Sequence, residues 1–187
     1  MAEPIRILGF SGSLRAGSYN TMALDAAIAL APQGVEFRRA AIGHLPLYND
    51  DLRLQGYPPE VEAFRQDVRW ADAFLFVSPE YNFSVPGVLK NALDWGSRPP
   101  DQPFAGKAAA VMGASGGMLG TARMQYELRK IGVYLDLHFV NKPEVMIASA
   151  PQKFDAAGAL TDESARALIA QLTTNLRDLT ARLKATA

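Results

Sequence analysis

Short apolar stretches alternate with longer amphipathic ones along the whole chain. Apolar stretches bounded by turn residues predict strands at residues 5–8, 35–41, 73–77, 108–112 and 134–140. The stretch at residues 73–77 is continuously apolar, which is typical of a central parallel strand covered on both faces. Residues 35–41 alternate only in part and carry charges, so we expect an edge strand there. Residues 144–147 are expected to extend the last strand beyond Pro143.

Between these strands, apolar residues recur every three to four positions, which is the spacing of an amphipathic helix. The spacing predicts helices at residues 21–30, 60–70 and 121–131, a helix that carries Leu89, Leu93 and Trp95, and a last helix that Thr161 caps. Strands and helices therefore alternate throughout residues 1–187. This order predicts one α/β domain with a doubly wound parallel sheet and helices on both faces.

Composition narrows the function. Lys plus Arg and Asp plus Glu both number 19 in 187 residues, so no electrostatic footprint for nucleic acid or a membrane appears. There is no cysteine, which excludes disulfides and thiolate catalysis, and His44 and His138 have no partners at metal-ligand spacing. No apolar run has the ~18–20 residues of a membrane span, and no secretory signal is visible. We expect a cytoplasmic protein with no metal site and no membrane insertion.

The stretch 9–20 joins the first strand to the first helix and is rich in Gly and Ser. Ser11, Ser13, Ser18 and Asn20 offer side-chain donors, and Arg15 adds a fixed positive charge. Together with the N-terminus of the next helix, they predict a phosphate-binding loop. The plain alternative is a tight turn with Ser18 as an ordinary helix N-cap. The stretch lacks the Gly-Lys-Ser/Thr of a P-loop and the spacing of a dinucleotide fingerprint.

Two more unusual loops follow the strands at residues 73–77 and 108–112. The first combines prolines with Tyr81, Asn82, Phe83 and Ser84, which suits a planar ring that accepts hydrogen bonds; the alternative is a structural loop whose aromatic rings cover the core. The second, residues 113–120, is rich in glycine, which permits positive φ angles and close backbone approach. In a doubly wound sheet these loops meet at one rim, where ligands bind. A monophosphate with a planar ring, such as FMN, fits them best.

Three motifs resemble the NAD(P)H-dependent FMN reductase family, and most closely its soluble bacterial quinone and chromate reductases. The motifs are Gly12-Ser13-Leu14-Arg15-x-x-Ser18-x-Asn20, the long run from Pro79-Glu80-Tyr81-Asn82 to Asp94-Trp95, and Ser115-x-Gly117 followed by Arg123-x-Gln125-Tyr126. The resemblance implies a flavodoxin-like fold with five strands in the order 2-1-3-4-5 and non-covalent FMN. It also implies hydride transfer from NAD(P)H to the flavin and then to a quinone, with chromate, azo dyes or free flavin as further acceptors. A homodimer, or a tetramer made of two dimers, is implied as well.

The family's site residues carry over by position. Ser13, Arg15, Ser18, Tyr19 and Asn20 would hold the phosphate, with Ser11, Leu14 and Pro79 in the same cofactor-binding set. Glu80, Tyr81, Asn82 and Phe83 would line the ring and its ribityl chain, and Ser115, Gly116 and Gly117 would contact the far edge of the ring. Asp50, Arg98, Arg123, Tyr126 and Glu144 match positions of a polar network between subunits, the alternative being ordinary surface salt bridges. One departure, Gly120-Thr121 in place of Gly-Gly, is expected to affect the nicotinamide side.

No side chain has the pattern of a catalytic nucleophile, so the chemistry is assigned to the FMN and not to a residue. Two other readings stay open on the sequence alone. One is an electron carrier of the flavodoxin type without NAD(P)H activity, which the zero net charge disfavours because carriers present acidic docking faces. The other is a binding module for a different phosphorylated small molecule.

Overall fold

The computed structural model describes residues 3–186 of the chain. Its strands are β1 (Ile5–Ser11), β2 (Val35–Arg39), β3 (Ala73–Val77), β4 (Ala108–Ala114), β5 (His138–Phe139) and β6 (Val145–Ile147). Its helices are α1 (Tyr19–Ala29), α2 (Asp50–Leu54), α3 (Pro59–Trp70), α4 (Gly87–Gly96), α5 (Ala122–Tyr134) and α6 (Glu163–Thr186), with a 3₁₀ turn at Ala150–Gln152. None of the helices in this part of the chain combines the length and apolar character that a membrane crossing requires.

All strand pairs are parallel, and the sheet has the order β2-β1-β3-β4-β5. This is the predicted flavodoxin-like order, with β2 at one edge as its charged residues indicated. The register aligns Ser11 of β1 with Val77 of β3, and Val77 with Met112 of β4. The carboxyl ends of the three central strands therefore lie side by side, and the loops that follow them leave the sheet at the same edge.

Two apolar cores cover the two faces of the sheet. On one face, α1 and α6 pack through residues such as Leu24 and Ile169 against the inward side chains of β1, β3 and β4. On the other face, α3, α4 and α5 pack through residues such as Val61, Leu93 and Leu128. Each large apolar side chain that is fully buried contributes about 1.5–3 kcal/mol. Burial on both faces is the physical reason why the central strands could be read as continuous apolar runs.

The predicted strand at residues 134–140 is wrong over its first part. Helix α5 continues to Tyr134, and Asp136 has a positive φ of 55°, so pairing begins only at His138. The strand prediction placed this segment too early because Tyr134, Leu135 and Leu137 form an apolar run that fits a strand as well as a helix end. The predicted extension is confirmed, because β6 pairs with β4 further along the same edge.

Two smaller predictions are also wrong. Pro46 and the polar residues around it predict a loop over residues 43–51, but α2 begins at Asp50 inside that stretch. Its N-cap is Asn49, whose side chain accepts a hydrogen bond from the Asp51 N–H at 2.9 Å. The last helix is capped by Asp162 instead of Thr161. The Asp162 carboxylate accepts from the Ala165 N–H at 2.7 Å, whereas the Thr161 hydroxyl donates to the carbonyl of Lys153 at 3.2 Å.

Candidate functional site

A cavity of about 450 Å³ lies at the carboxyl ends of β1, β3 and β4. Its lining comes from the loops after these strands, the start of α1, the last residue of β4 and one residue after β6. These residues are Ser13, Arg15, Ser18, Tyr19, Asn20, Pro79, Glu80, Tyr81, Ala114, Ser115, Gly116 and Pro151. The prediction that three separate loops meet at one rim is therefore confirmed. A parallel sheet places them there because the strand ends are in register.

The first loop presents unpaired backbone donors to this cavity. Within residues 3–186, the N–H groups of Ala16, Gly17, Ser18 and Tyr19 have no hydrogen-bond acceptor. They lie at the start of α1, where the helix dipole is positive. The exposed guanidinium of Arg15 adds a charge that no carboxylate of the described chain neutralises, and its Cζ lies 6.0 Å from the centre of the Tyr19 ring. This combination favours a bound phosphate.

The polar side chains of the same loop are mostly engaged in holding it. The Ser18 hydroxyl accepts hydrogen bonds from the N–H groups of Asn20 at 3.2 Å and Thr21 at 3.4 Å, so Ser18 is the N-cap of α1. The amide of Asn20 bonds to the backbone of Ala114 in β4. The Ser11 hydroxyl pairs with that of Thr21 at 2.8 Å. The hydrogen-bond donors that remain free in this loop are therefore mainly backbone N–H groups and the Arg15 side chain. The serine hydroxyls, which the sequence suggested as phosphate donors, mostly bond within the protein.

The second loop forms a tight two-residue turn at residues 81–84. The backbone groups of Tyr81 and Ser84 bond to each other in both directions at 3.1 and 3.0 Å, and Asn82 and Phe83 have φ angles of 51° and 66°. Two positive φ angles define a type I′ turn, which is strained for phenylalanine. The Tyr81 side chain is 51% exposed and that of Phe83 is 65% exposed. The alternative that these rings cover the core is therefore wrong.

Glu80 joins this turn to helix α5. Its carboxylate accepts hydrogen bonds from the N–H groups of Arg123 at 2.9 Å and Met124 at 3.1 Å, and from the Arg123 guanidinium at 3.3 Å. The same guanidinium stacks on the Phe83 ring at 3.9 Å. Glu80 thus supplies the N-cap that Thr121 does not provide, since Thr121 forms no side-chain cap bond.

The glycine-rich loop uses its glycines in different ways. A Cβ on Gly113, which still belongs to β4, would lie 2.3 Å from the carbonyl oxygen of Ser78, so the expected close backbone approach is confirmed at this glycine. Gly116 faces open space, and Gly116 and Gly117 do not have positive φ angles. Only Gly120 in this loop does, with φ 58°, and a Cβ there would lie 3.0 Å from the Met146 backbone.

Gly120 and Thr121, which stand where the family pattern has Gly-Gly, are buried inside the protein. Thr121 is fully buried, and its hydroxyl accepts a hydrogen bond from the Gln125 side chain at 3.2 Å. The Gln125 amide also donates to the carbonyl of Val145 in β6 at 2.9 Å. Thr121 therefore packs between α5 and the sheet, and its expected effect on the nicotinamide side stays a prediction that would act through the packing of α5.

The five predicted network residues fall into three groups within the chain. Arg123 pairs with Glu80, and the Tyr126 hydroxyl donates to Glu144 at 2.9 Å. Asp50 and Arg98 both contact Tyr48, whose hydroxyl donates to Asp50 at 2.6 Å and whose ring lies 5.4 Å from the Arg98 guanidinium.

These contacts change the acidity of the groups involved. Hydrogen bonds from Arg53 and Tyr48 lower the pKa of Asp50 to about 2. The hydrogen bond to Glu144 raises the pKa of Tyr126, and that from Tyr126 lowers the pKa of Glu144. All of these groups lie at the surface, where an ordinary ion pair contributes little to stability.

Several predicted residues lie beside the cavity without lining it: Ser11, Leu14, Asn82, Phe83 and Gly117. The sequence analysis missed two lining residues, Ala114 and Pro151. Ala114 is the last residue of β4 and could have been found by extending that strand. Pro151 gave no signal, because it reaches the cavity only through the hydrogen bonds of Ser149 to Gly117 and of Ala150 to Ser115.

Among residues 3–186 no cluster of three or more His, Cys, Asp or Glu side chains is arranged to hold a metal ion. The unpaired N–H groups, the free Arg15 charge, the open face at Gly116 and the exposed Tyr81 ring instead fit a phosphate joined to a planar ring.

Comparison with known proteins agrees with this geometry. The sequence profile of the NADPH-dependent FMN reductase family matches residues 5–152. An NAD(P)H-dependent FMN reductase of Pseudomonas aeruginosa is 58% identical over 171 residues, covering 91% of this chain and 92% of that protein. An NADPH:quinone oxidoreductase of Arabidopsis thaliana is 50% identical, covering 96% of this chain and 94% of that protein.

A solved structure extends the similarity to three dimensions. The flavoenzyme NAD(P)H:(acceptor) oxidoreductase of Paracoccus denitrificans has a TM-score of 0.87 and 34% identity, covering 95% of this chain and 98% of the other. Fold and site together define a flavodoxin-like flavoenzyme. The chain belongs to the NADPH-dependent FMN reductase family. It is an FMN-dependent NAD(P)H oxidoreductase.

Proposed function

We propose that this protein transfers electrons from NAD(P)H to small quinones through FMN bound in the cavity at the carboxyl ends of β1, β3 and β4. The observation that carries the proposal is the set of unpaired N–H groups at Ala16, Gly17, Ser18 and Tyr19 beside the unpaired Arg15. Such a set needs an anion with several acceptor oxygens, and the FMN phosphate has them. Relatives named as quinone oxidoreductases, which align over nearly the whole chain, support the choice of acceptor.

In this proposal the ring lies between the second and third loops. Tyr81 offers an aromatic face, and Ser115 and Gly116 border the open side of the cavity. The chemistry supplied by bound FMN is two-electron transfer, by hydride uptake from NAD(P)H and delivery to the acceptor. The chain contributes binding and orientation, and no side chain is assigned as a catalytic acid, base or nucleophile. Backbone N–H groups of the glycine loop are assigned to stabilise the negative charge of the reduced ring.

The direct test uses the purified protein without any redox partner. After loading with FMN and desalting, the protein should keep the absorption bands of flavin. It should then oxidise NADPH or NADH when a benzoquinone is added, and stopped-flow reduction with each nicotinamide would measure the preference. Retention of FMN with NAD(P)H oxidation only after a partner flavoprotein is added would indicate an electron carrier instead. A protein that does not retain FMN would contradict the proposal altogether.

The proposal also includes a second electron acceptor and the cellular compartment of the protein. Chromate would serve as a second acceptor, reduced by the same flavin, and its loss from solution can be followed alongside NAD(P)H oxidation. Because the reaction draws on NAD(P)H, the proposed compartment is the cytoplasm, which cell fractionation can test.

The proposed assembly is a homodimer, with two dimers forming a tetramer. Helix α5 supports it, because Tyr126 and Val133, which are seven positions apart and so share one side of the helix, are exposed, as is Tyr134 at its end. Beside them lies a groove whose apolar lining comes from Leu93 of α4, Ile131 of α5 and Leu135 just after α5, and whose polar lining includes Lys90, Asp94, Ser97 and Arg98. A second copy of the chain is the proposed occupant of this surface, and Asp50, Arg98, Arg123, Tyr126 and Glu144 are assigned to its polar contacts.

A further inference from the structure

A second cavity lies at the opposite end of the sheet from the proposed FMN cavity. It has a volume of about 200 Å³ and opens between the start of β4 and the end of α6. Its lining residues are Asp72, Gly106, Lys107, Ala108, Thr180, Leu183 and Lys184. Two of these residues, Lys107 and Lys184, are lysines that have no role in the proposed function.

The amine of Lys107 is held by carbonyl groups. Its Nζ donates to the carbonyl of Val68 at 2.9 Å and lies 3.5 Å from that of Arg69, both in the last turn of α3. The Val68 carbonyl has no helical partner, since the N–H of Asp72 donates instead to the Arg6 carbonyl. A neutral amine has two N–H groups, so both of its protons have acceptors here and its lone pair remains free.

No carboxylate of the described chain forms a salt bridge with this amine. Asp72 is the nearest acidic group in the cavity, but its oxygens are bound by Arg6 at 2.9 and 3.1 Å and by Lys184 at 2.9 Å. Asp101 is held by Arg69 at 2.8 Å and also by Arg65. The Phe74 ring lies 5.5 Å from Nζ and adds an apolar neighbour.

The acidity of Lys107 follows from these surroundings. Burial lowers its pKa to about 8; the negative charges of Asp72 and Asp101 oppose the change and the positive charge of Arg6 adds to it. A lysine with a pKa near the working pH has a sizeable neutral fraction and can act as a nucleophile.

We propose that Lys107 is an acylation site, modified by small acyl phosphates that enter this cavity. The neutral amine attacks the acyl carbonyl carbon, an amide C–N bond forms, and the C–O bond to phosphate breaks. Inorganic phosphate leaves with the bonding electron pair, and the amine proton passes to water. Lys184 keeps N–H donors beyond the one that binds Asp72 at 2.9 Å, and these donors are assigned to the phosphate of the acyl donor. The small volume of the cavity selects a small donor over a large thioester.

The experiment treats the intact protein with acetyl phosphate and measures acetylation of each lysine by mass spectrometry. The exposed Lys130 and Lys142 serve as internal references. At pH 7.5, Lys107 should react about tenfold faster than either, because its larger neutral fraction outweighs its lower intrinsic nucleophilicity. The advantage should disappear near pH 10, where the references also become neutral. Equal rates at pH 7.5 would overturn the proposal.

Two variants sharpen the test. Lys107→Arg keeps a donor for the Val68 carbonyl and should abolish the fast site, which identifies it. Lys184→Ala should slow acetylation of Lys107 by acetyl phosphate several-fold but leave its acetylation by neutral phenyl acetate unchanged. An equal fall with both reagents would overturn the assignment of Lys184 to the phosphate and with it the choice of acyl phosphate. NAD(P)H oxidation by the acetylated protein should be unchanged, so this result is independent of the proposed function.

Discussion

The side-chain amide of Asn20 forms two hydrogen bonds with the backbone of Ala114, although the two residues are 94 positions apart. Its Nδ2 donates to the Ala114 carbonyl at 2.9 Å, and its Oδ1 accepts from the Ala114 N–H at 2.8 Å. The start of α1 is thereby fixed to the end of β4. This single side chain therefore fixes the distance between the first and third loops around the cavity in which FMN is proposed to bind.

This link makes Asn20 a positioning residue whose removal should have a measurable cost. Asn20→Ala leaves two backbone groups of Ala114 without partners, so the free energy of unfolding should fall by about 2–4 kcal/mol, measured by urea denaturation. FMN should also bind more weakly, because the loops lose their fixed spacing. The matched control is Asn175→Ala, which removes one exposed bond to Lys142 and should cost less than about 1 kcal/mol. Equal losses in the two variants would contradict this role.

Arg15 is expected to hold the phosphate by charge. Arg15→Ala should weaken FMN binding by about 1.5–3 kcal/mol, which is the contribution of a charge-assisted hydrogen bond. Isothermal titration or flavin fluorescence would measure it. Arg182→Ala removes an exposed arginine of α6 away from the cavity and should leave the affinity unchanged. If Arg15→Ala binds FMN as tightly as the unmodified protein, Arg15 does not contact the phosphate.

Glu80 connects the turn at residues 81–84 with α5. Glu80→Ala removes the acceptor of the Arg123 and Met124 N–H groups and should lower the free energy of unfolding by about 1–2 kcal/mol, as loss of an N-cap does. Glu80→Gln keeps one acceptor oxygen and should lose less than half of that. FMN affinity should follow the same order, because the turn at residues 81–84 loses its support. A Gln variant as unstable as the Ala variant would show that charge, and not capping, is what matters.

Asp72 should contribute to stability in a defined pH range. Burial opposes its ionisation, but hydrogen bonds from Arg6 and Lys184 outweigh it and lower the pKa of Asp72 to about 2. A carboxyl group whose pKa is lowered by folding stabilises the protein above its unfolded pKa of about 3.9, and this contribution is lost as the pH falls towards 2. Asp72→Asn should therefore reduce the loss of stability between pH 4 and pH 2, measured by urea midpoints. Asp51→Asn, at an exposed position, is the control and should leave the acid limb unchanged.

The exposed face of α5 should control assembly. Val133 is 82% exposed in the single chain, so Val133→Glu should not disturb the core. If a second copy covers this face, the buried carboxylate would shift the protein towards monomers in analytical ultracentrifugation. Lys130→Glu, one turn earlier at an exposed polar position, would show how much of the shift comes from charge alone. An unchanged sedimentation profile for Val133→Glu would place the interface elsewhere.

Much of this architecture could be predicted because each central strand is buried on both faces. The run at residues 73–77 predicted β3 with its observed bounds, and the three loops were found because Gly, Ser and aromatic residues directly follow strands. The helix end at Tyr134 was misplaced, since an apolar run of this length fits either a helix end or a strand. Residue type alone predicts Thr161 as the N-cap of the last helix. In the folded chain its hydroxyl bonds to the Lys153 carbonyl instead, and Asp162 caps the helix.

The sequence by itself determined the alternation of strands and helices, the edge position of β2 and the loops that meet at the cavity, because these depend on local spacing and on parallel strand order. Tertiary structure decided how the polar side chains are used. Ser18 and Asn20 have the residue types of phosphate ligands, yet one caps α1 and the other binds Ala114, while Glu80 caps a helix more than 40 residues away. The physical reason is that buried N–H and C=O groups must find partners, and which side chain supplies them is set by distances that only the folded chain creates.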